Sequence, residues 1–267
     1  MTTKNDTSTA QTRGVTASAD GTPIAWSRAG AGPALVMVHC VGVSRATTPQ
    51  PTLAAALAEH FTVWTYDRRG KGESGAVEYD KGETYAVERE FEDLAAVIAL
   101  ADGPVTVYGF SSGATLALLA AEAGVPIERL TLLEPPLYDD PDPEGAFRAA
   151  GEAKLAEGNE VLQRWFQTDV VGVPAEILDQ MPPSEEDLRQ APTLLHELTF
   201  LPGTPATRFS SVQQPTLVMA SAATAPEMIT FVEDLADALP YGKKAVLPGE
   251  WHGVDDATLT RAIVDFT

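Results

Sequence analysis

The sequence predicts one α/β domain built on a mostly parallel sheet. Short apolar runs of strand length alternate with segments in which apolar residues recur at helical spacing, and this order is typical of parallel strands covered by helices. A length of 267 residues, 44% of them hydrophobic, allows one large buried core. Because ligands of such sheets bind at the carboxyl ends of the strands, the loops that follow the strands are the expected sites of function.

The N-terminal half contains the first strands of this sheet. Residues 15–26 predict two strands joined by a turn at Asp20-Gly21, since an Asp-Gly pair between two short strand-like runs is a strong hairpin signal. Helical spacing of the apolar residues predicts a helix over residues 86–100 that packs one face on the sheet. The remaining elements predicted in this half are strands at 33–39 and 61–66 and a helix at 53–60.

The alternation of strands and helices is interrupted once, after Glu134. A proline-rich turn segment there opens a long stretch that favours helices without a strand. We therefore predict a disordered tail at 1–12, a core formed by 13–134 and 209–267, and a helical insertion at 135–208. The core elements predicted on both sides of the insertion are strands at 105–108, 130–133, 216–219 and 244–247 and helices at 114–123, 228–239 and 257–266.

The composition is strongly acidic, with 38 Asp and Glu against 18 Lys and Arg and a formal net charge of −20. Such a charge repels nucleic acids and anionic membranes, so we expect a small-molecule substrate and neither of those partners; the oligomeric state is left open. No apolar run has the length of a membrane span or a secretory signal, which predicts a cytoplasmic protein. With Cys40 alone and four scattered histidines, no disulfide, metal or cofactor is expected.

A glycine- and serine-rich loop connects a predicted strand to a predicted helix near the middle of the chain. Its residues Gly109-Phe110-Ser111-Ser112-Gly113 form a G-x-S-x-G pattern, which in this context marks a nucleophilic serine. The glycines allow a close crossing of strand and helix, and the central Ser111 takes a strained conformation that presents its hydroxyl at the helix N-terminus. The alternative is that either serine only caps the helix.

Together with this loop, three further segments resemble the α/β-hydrolase fold family. They are His39-Cys40-Val41-Gly42, the D-x-R-G-x-G-x-S-like residues 67–74 and the loop at 248–253, and they follow one another in the family's order. The resemblance extends from Gly14 to Phe266. It implies an eight-stranded, mostly parallel sheet with helices on both faces and a helical cap inserted after strand six.

The resemblance also implies roles for individual residues. Ser111 corresponds to the nucleophile and His252 to the base that removes its proton. The backbone N–H groups of Val41 and Ser112 correspond to the oxyanion hole, which binds the negatively charged oxygen of the tetrahedral intermediate. The remaining histidines, expected to be structural or exposed, are His39, His60 and His196.

The acid that orients His252 is the point at which this sequence departs from the family. Relatives carry an aspartate after the seventh strand, where this chain has Ser221 and Thr224. Some members place the acid at the end of the sixth strand instead. Glu134 occupies that position, where a buried carboxylate needs a partner such as an imidazole, so we assign the acid to Glu134. The alternatives are Glu227 and Asp139, and a solvated role is open for each of these carboxylates.

A serine at the nucleophile position disfavours the epoxide and haloalkane reactions for which the family uses an aspartate. The expected enzyme is a carboxylesterase-like hydrolase that cleaves a small or medium hydrophobic carboxylic ester, thioester or lactone through an acyl-enzyme on Ser111. Apolar residues of the insertion would line its pocket. The alternatives are a non-hydrolytic protein on the same fold, either a ligand receptor or a biosynthetic lyase or cyclase, a C–C bond hydrolase, and a cofactor-free perhydrolase.

Overall fold

An eight-stranded sheet lies at the centre of the computed structural model, which describes residues 11–76, 84–180 and 182–267. Its strands are β1 (Thr12–Ala17), β2 (Pro23–Ala29), β3 (Ala34–Val38), β4 (Thr62–Tyr66), β5 (Val105–Phe110), β6 (Arg129–Leu133), β7 (Thr216–Ser221) and β8 (Gly242–Leu247). They lie side by side in the order β1-β2-β4-β3-β5-β6-β7-β8. A separate small ladder pairs β9 (Gly249–Glu250) with β10 (Gly253–Val254).

The strands of the large sheet pair in parallel except at one edge. β1 is antiparallel to β2 and β2 is antiparallel to β4, whereas all the other neighbouring strands are parallel. The turn between β1 and β2 is closed by a 2.8 Å hydrogen bond from the Ser18 N–H to the Thr22 carbonyl, and it contains the Asp-Gly pair that predicted it. The predicted α/β class and the mostly parallel eight-stranded sheet are therefore confirmed.

Helices cover both faces of this sheet. They are α1 (Leu53–Leu57), α2 (Val87–Ile98), α3 (Ser112–Glu122), α9 (Pro226–Ala238) and α10 (Asp256–Phe266). The segment between β6 and β7 contributes α4 (Ala146–Glu157), α5 (Asn159–Trp165), α6 (Ala175–Leu178), α7 (Glu185–Gln190) and α8 (Leu194–Phe200). None of the helices in the described ranges is long and apolar enough to cross a membrane.

The core consists of two apolar clusters, one on each face of the sheet. Val36 and Val38 of β3 belong to the cluster that includes side chains of α2, α3 and α9. Leu35 and Met37 belong to the cluster that includes side chains of α1 and α10. Because successive residues of a strand point to opposite faces, burial of this whole strand requires helices on both sides, as the uninterrupted apolar run predicts.

The segment between β6 and β7 contains α4 to α8 and no strand among its described residues. A π-helical turn, Phe166–Val170, continues α5. Six side chains form a separate apolar cluster within the segment; they are Leu162, Phe166, Ala191, Leu194, Leu195 and Leu198. At the other end of the chain, Thr12 pairs with Arg28 in the β1–β2 ladder, so a disordered tail that includes residue 12 is wrong. Residues 1–10 of that predicted tail lie outside the described residues.

Candidate active site

The loop between β5 and α3 makes a sharp bend at Ser111, where φ is 53° and ψ is −129°. A Cβ atom at Gly113 would lie 2.4 Å from the Val38 carbonyl oxygen, and one at Gly109 would lie 2.5 Å from the Ala114 Cα. Glycine at both positions therefore lets α3 approach the strands closely, as predicted. The bend places Ser111 directly before α3, whose first backbone N–H groups have no partner within the helix.

Three residues other than glycine have a positive φ angle in the described part of the chain. They are Ser111, Glu134 and His252, with φ angles of 53°, 50° and 54°. A side chain with a Cβ atom is strained in this region, and such strain is most often found at functional sites. The same three residues were identified from their loops as the nucleophile, the acid and the base.

The imidazole of His252 is hydrogen-bonded through Nδ1 to Oε2 of Glu134, a carboxylate that is completely buried at the end of β6. The backbone N–H and the hydroxyl of Ser221 donate to Glu134 Oε1 at 2.8 and 2.7 Å. The Thr224 hydroxyl donates to Oε2 at 3.1 Å. Two residues in the segment where relatives carry the acid thus act here as hydrogen-bond donors to a carboxylate on the neighbouring strand.

These donors determine the charge state of Glu134. Burial raises the pKa of its carboxyl, but the hydrogen bonds from His252 and Ser221 outweigh burial and lower the pKa below its ordinary value. Glu134 is therefore ionised when it accepts from His252. The alternative acids Glu227 and Asp139 are both exposed side chains, and the acid that contacts His252 is Glu134.

A cavity of about 190 Å³ lies above the carboxyl ends of the central strands. Four of the predicted site residues line its wall; they are Val41, Ser111, Ser112 and His252. Glu134 lies behind His252, and the Phe110 ring stacks at a tilt against the imidazole with 4.9 Å between ring centroids. Nδ1 is held by Glu134, which leaves Nε2 as the imidazole nitrogen that can exchange a proton in the cavity.

The inserted segment forms much of the cavity wall opposite the strands. The π-helical turn contributes Phe166 and Val170, and α8 contributes Glu197. π-helical turns are rare in proteins, and those that do occur are often found at functional sites. The remaining apolar lining residues are Pro136, Tyr138, Val171, Leu201, Ala225, Met228, Phe231 and Trp251. The cavity is thus mainly apolar, with the hydroxyls, the imidazole and one carboxylate as its polar groups.

The cysteine and the remaining histidines do not line this cavity. Cys40 is buried, and burial raises the pKa of its thiol to about 11, so it remains an unreactive thiol. His60 is exposed, and His196 is buried with its ring stacked 3.9 Å from that of Tyr85. In the described ranges no group of three or more His, Cys, Asp or Glu side chains could hold a metal ion.

The buried His39 makes stability sensitive to acid. Burial lowers the pKa of this imidazole from 6.5 to about 4, against the opposing charge of Asp67. Between these two pH values the unfolded chain binds a proton at residue 39 that the folded protein does not, so stability is lost as the pH falls. We expect the free energy of unfolding of the wild type to fall by about 2 kcal/mol more between pH 7 and pH 5 than that of His39→Gln.

Urea titrations at the two pH values measure this difference. His60→Gln, at an exposed histidine, is the matched control and is expected to keep the wild-type difference. If the free energy of unfolding depends on pH equally in the wild type and in His39→Gln, His39 is not held neutral by the fold.

A buried network of charges connects the loop at residues 67–74 to the inserted segment. Arg68 is buried and donates from Nε and Nη2 to both oxygens of Glu90, each at 2.6 Å. Its Nη1 donates to Glu197 of α8, also at 2.6 Å. Asp67 accepts hydrogen bonds from the backbone N–H groups of Arg45 and Glu73. The loop is thus a structural hub beside the site.

We expect the buried pair Arg68–Glu90 to contribute far more to stability than a surface pair. Glu90→Ala leaves Arg68 without the partner that binds it through two nitrogens, and it should lower the free energy of unfolding by about 3–5 kcal/mol. The control is Glu122→Ala, which removes a partly exposed carboxylate 2.9 Å from Arg208 and should cost less than about 1 kcal/mol. Equal losses in chemical denaturation would contradict a structural role for the buried network.

The chain is similar in sequence and in structure to known proteins. Residues 35–261 match the model of a family described as the alpha/beta hydrolase family. An alpha/beta hydrolase from Sphaerobacter thermophilus DSM 20745 is 39% identical over 95% of this chain and 99% of its own, with a TM-score of 0.82. Two more distant structures are similar in fold. An enol-lactonase from Burkholderia xenovorans LB400 is 21% identical over 94% of this chain and 98% of its own, with a TM-score of 0.65. A thermophilic esterase from Thermogutta terrifontis is 21% identical over 95% and 97%, with a TM-score of 0.69.

Proposed function

The chain belongs to the alpha/beta hydrolase family, and on that premise we propose that it is a serine hydrolase with Ser111 as the nucleophile. Its substrate is a small or medium hydrophobic carboxylic ester, thioester or lactone, cleaved through an acyl-enzyme. The observation that carries this proposal is that Ser111 and His252 line one cavity while Nδ1 of His252 binds the buried Glu134. A nucleophile, a base and an orienting acid are what acyl transfer by serine requires.

The proposed reaction begins with attack of the Ser111 hydroxyl on the substrate carbonyl carbon. His252 takes the hydroxyl proton on Nε2, and ionised Glu134 stabilises the imidazolium that results. The backbone N–H groups of Val41 and Ser112 bind the negative oxygen of the tetrahedral intermediate, and the N-terminus of α3 favours that charge.

The intermediate then collapses, and His252 donates its proton to the departing alkoxide or thiolate, which leaves as an alcohol or thiol. A water molecule that loses a proton to His252 attacks the acyl-enzyme carbonyl. Breakage of the bond to Ser111 releases the carboxylic acid and restores the hydroxyl. Each step uses a group that lines the cavity or contacts one that does.

The substrate class follows from the size and the walls of the cavity. Its volume of about 190 Å³ lies below the range of about 300–1,000 Å³ that holds drug-sized ligands. The lining is mainly apolar, with aromatic side chains such as Phe166 and Phe231. A short hydrophobic acyl group fits this description better than a long lipid chain. The hydrogen bond between Glu134 and His252 supports hydrolysis over a non-hydrolytic function, because acyl transfer by serine uses an acid that orients the base.

A panel of substrates tests the proposal. Phenyl and p-nitrophenyl esters with acyl chains of increasing length, matched thioesters and small lactones are compared by kcat/KM. We expect turnover of the short-chain members and a pre-steady-state burst of phenol, because acylation precedes slow hydrolysis of the acyl-enzyme. No turnover of any member by folded protein would exclude the proposed hydrolase.

A further inference from the structure

Glu197 is an unusual residue for the wall of an apolar cavity. It lies on α8 with its side chain completely buried, and it is the one acidic residue among the described residues that line the cavity. A buried carboxylate is costly unless both of its oxygens are hydrogen-bonded or paired with charges. The partners of each oxygen therefore indicate what this side chain does.

The two oxygens of Glu197 have very different surroundings. Oε1 accepts a hydrogen bond from Arg68 Nη1 at 2.6 Å and one from the Ser112 hydroxyl at 3.4 Å, and Lys71 Nζ lies 3.5 Å away. Oε2 is also buried, but it accepts no hydrogen bond from any described residue. One oxygen of the carboxylate is thus bound by the protein, and the other is buried with no hydrogen-bond donor among the described residues.

The charge of Glu197 is already matched within the protein. Arg68 and Lys71 face it on the side of Oε1, so a cationic ligand is not needed to neutralise it. What Oε2 lacks is a hydrogen-bond donor, and hydrogen bonds to a charged acceptor in a dry site are strong. The contact of Oε1 with Ser112, the residue after Ser111, places Glu197 beside the proposed nucleophile.

We propose that Glu197 Oε2 accepts a hydrogen bond from a neutral hydroxyl or amide N–H in the acyl part of the substrate, near the scissile carbonyl. This inference rests on the proposed function and narrows it, because the substrate is then not a plain hydrocarbon acyl ester. The apolar walls bind the carbon chain of the acyl group, and Glu197 selects for a polar substituent on it. A site built to bind a donor rejects analogues that lack the donor, since a buried acceptor is then left unpaired.

Phenyl esters that differ in a single substituent test this inference on the unmodified protein. The set consists of butanoate, 2-hydroxybutanoate, 3-hydroxybutanoate, 3-methoxybutanoate and 3-aminobutanoate, with both enantiomers of each chiral ester. We expect kcat/KM for the best hydroxylated ester to exceed that of butanoate by about 10- to 100-fold. The methoxy ester keeps the oxygen but cannot donate, so it should show no gain. A preference for the ammonium ester over both hydroxyl esters would overturn the assignment of a neutral donor.

Variants at residue 197 connect the preference to this carboxylate. Glu197→Asp keeps the charge that faces Arg68 but withdraws the oxygens by one methylene, and the ratio of hydroxylated to plain ester should fall towards one. Glu197→Gln should lower it as well, with circular dichroism and the melting temperature showing that the variant is folded. The matched control is Phe231→Leu on the apolar wall, which should change both rates by a similar factor and keep the ratio.

Binding to Ser111→Ala separates this inference from the proposed reaction. Calorimetric titration of that variant should show tighter binding of the hydroxylated ester than of butanoate, and the added Glu197→Asp change should abolish the difference. If hydrolysis fails but this preference persists, the proposed function is wrong and the binding role of Glu197 stands. If both esters bind and react equally well, Glu197 is only a counter-ion for Arg68, and the inference is overturned.

Discussion

Replacement of Ser111 by alanine is expected to lower kcat for phenyl ester hydrolysis by about 10⁴- to 10⁶-fold, as the loss of a serine nucleophile does in enzymes of this mechanism. The alanine variant keeps the cavity and the His252–Glu134 pair but has no atom that can form the acyl-enzyme. The burst of phenol should disappear with the steady-state rate. Initial rates of the purified variant measure this loss. The protein concentration must be high enough to detect the remaining activity.

The matched control for this variant is Ser210→Ala, since Ser210 is an exposed serine in the short helix Ala206–Ser211. It should hydrolyse the ester at the wild-type rate. Ser111→Ala should also unfold at the same denaturant concentration as the wild type, so that lost activity is not lost structure. A tenfold or smaller effect of Ser111→Ala would assign the reaction to another group.

Glu134→Gln is expected to lower kcat by about 10⁴-fold, because a neutral amide does not stabilise the imidazolium and favours the wrong tautomer of His252. The substitution preserves size, and Ser221 can still donate to the remaining carbonyl oxygen. Most of the loss should therefore appear in kcat, with KM for the ester nearly unchanged. Steady-state kinetics of the folded variant measure the two parameters separately.

The structure offers two kinds of control for this second prediction. Glu227→Gln and Asp139→Asn alter the exposed carboxylates considered as alternative acids, and both should retain wild-type rates. Thr224 donates to the oxygen of Glu134 that binds His252, so Thr224→Asp in the Glu134→Gln background brings a carboxylate to the same imidazole and should recover part of the rate. Full activity of Glu134→Gln would transfer the orienting role to another residue.

The fold was largely predictable because its signals are local. The central strands are short apolar runs buried on both faces, as the residues of β3 show, and each lies between turn-forming segments. The boundaries were less accurate. β5 continues to Phe110, into the loop predicted after it, because Phe110 still pairs with Leu133 of β6. Ladder hydrogen bonds from a neighbouring strand extend an element beyond the point at which its own residues indicate an end.

The candidate site was predictable where its residues lie in loops with a recognisable pattern. Ser111 lies between two glycines whose absent side chains allow α3 to approach β3 and β5, and His252 follows the last strand of the large sheet. Glu134 was identified because some members of the family place the acid at the end of the sixth strand, where a buried carboxylate needs a partner. The reason that Ser221 and Thr224 replace the usual acid was not visible in the sequence, because hydrogen bonds between loops 87 and 90 residues apart have no local signal.

Glu197 was the functional candidate that sequence reasoning missed. The surrounding residues Leu194, Leu195 and Leu198 favour a buried helix, and an acidic residue within such a stretch is uncommon unless it is paired. That contrast is the signal that could have identified it. Its partner Arg68 is 129 residues away along the chain, so only the three-dimensional structure shows that one oxygen is bound and that the other has no donor among the described residues.

We propose that His252 makes Ser111 nucleophilic in a single cavity. Labelling with a fluorophosphonate tests this proposal, because the reagent reacts with activated serines. Mass spectrometry of the digested protein then identifies the labelled residue. We expect one stoichiometric adduct on Ser111 that is still formed by Ser112→Ala and is lost in His252→Ala. An unlabelled, folded protein, an adduct on Ser112, or labelling that persists without His252 would contradict it.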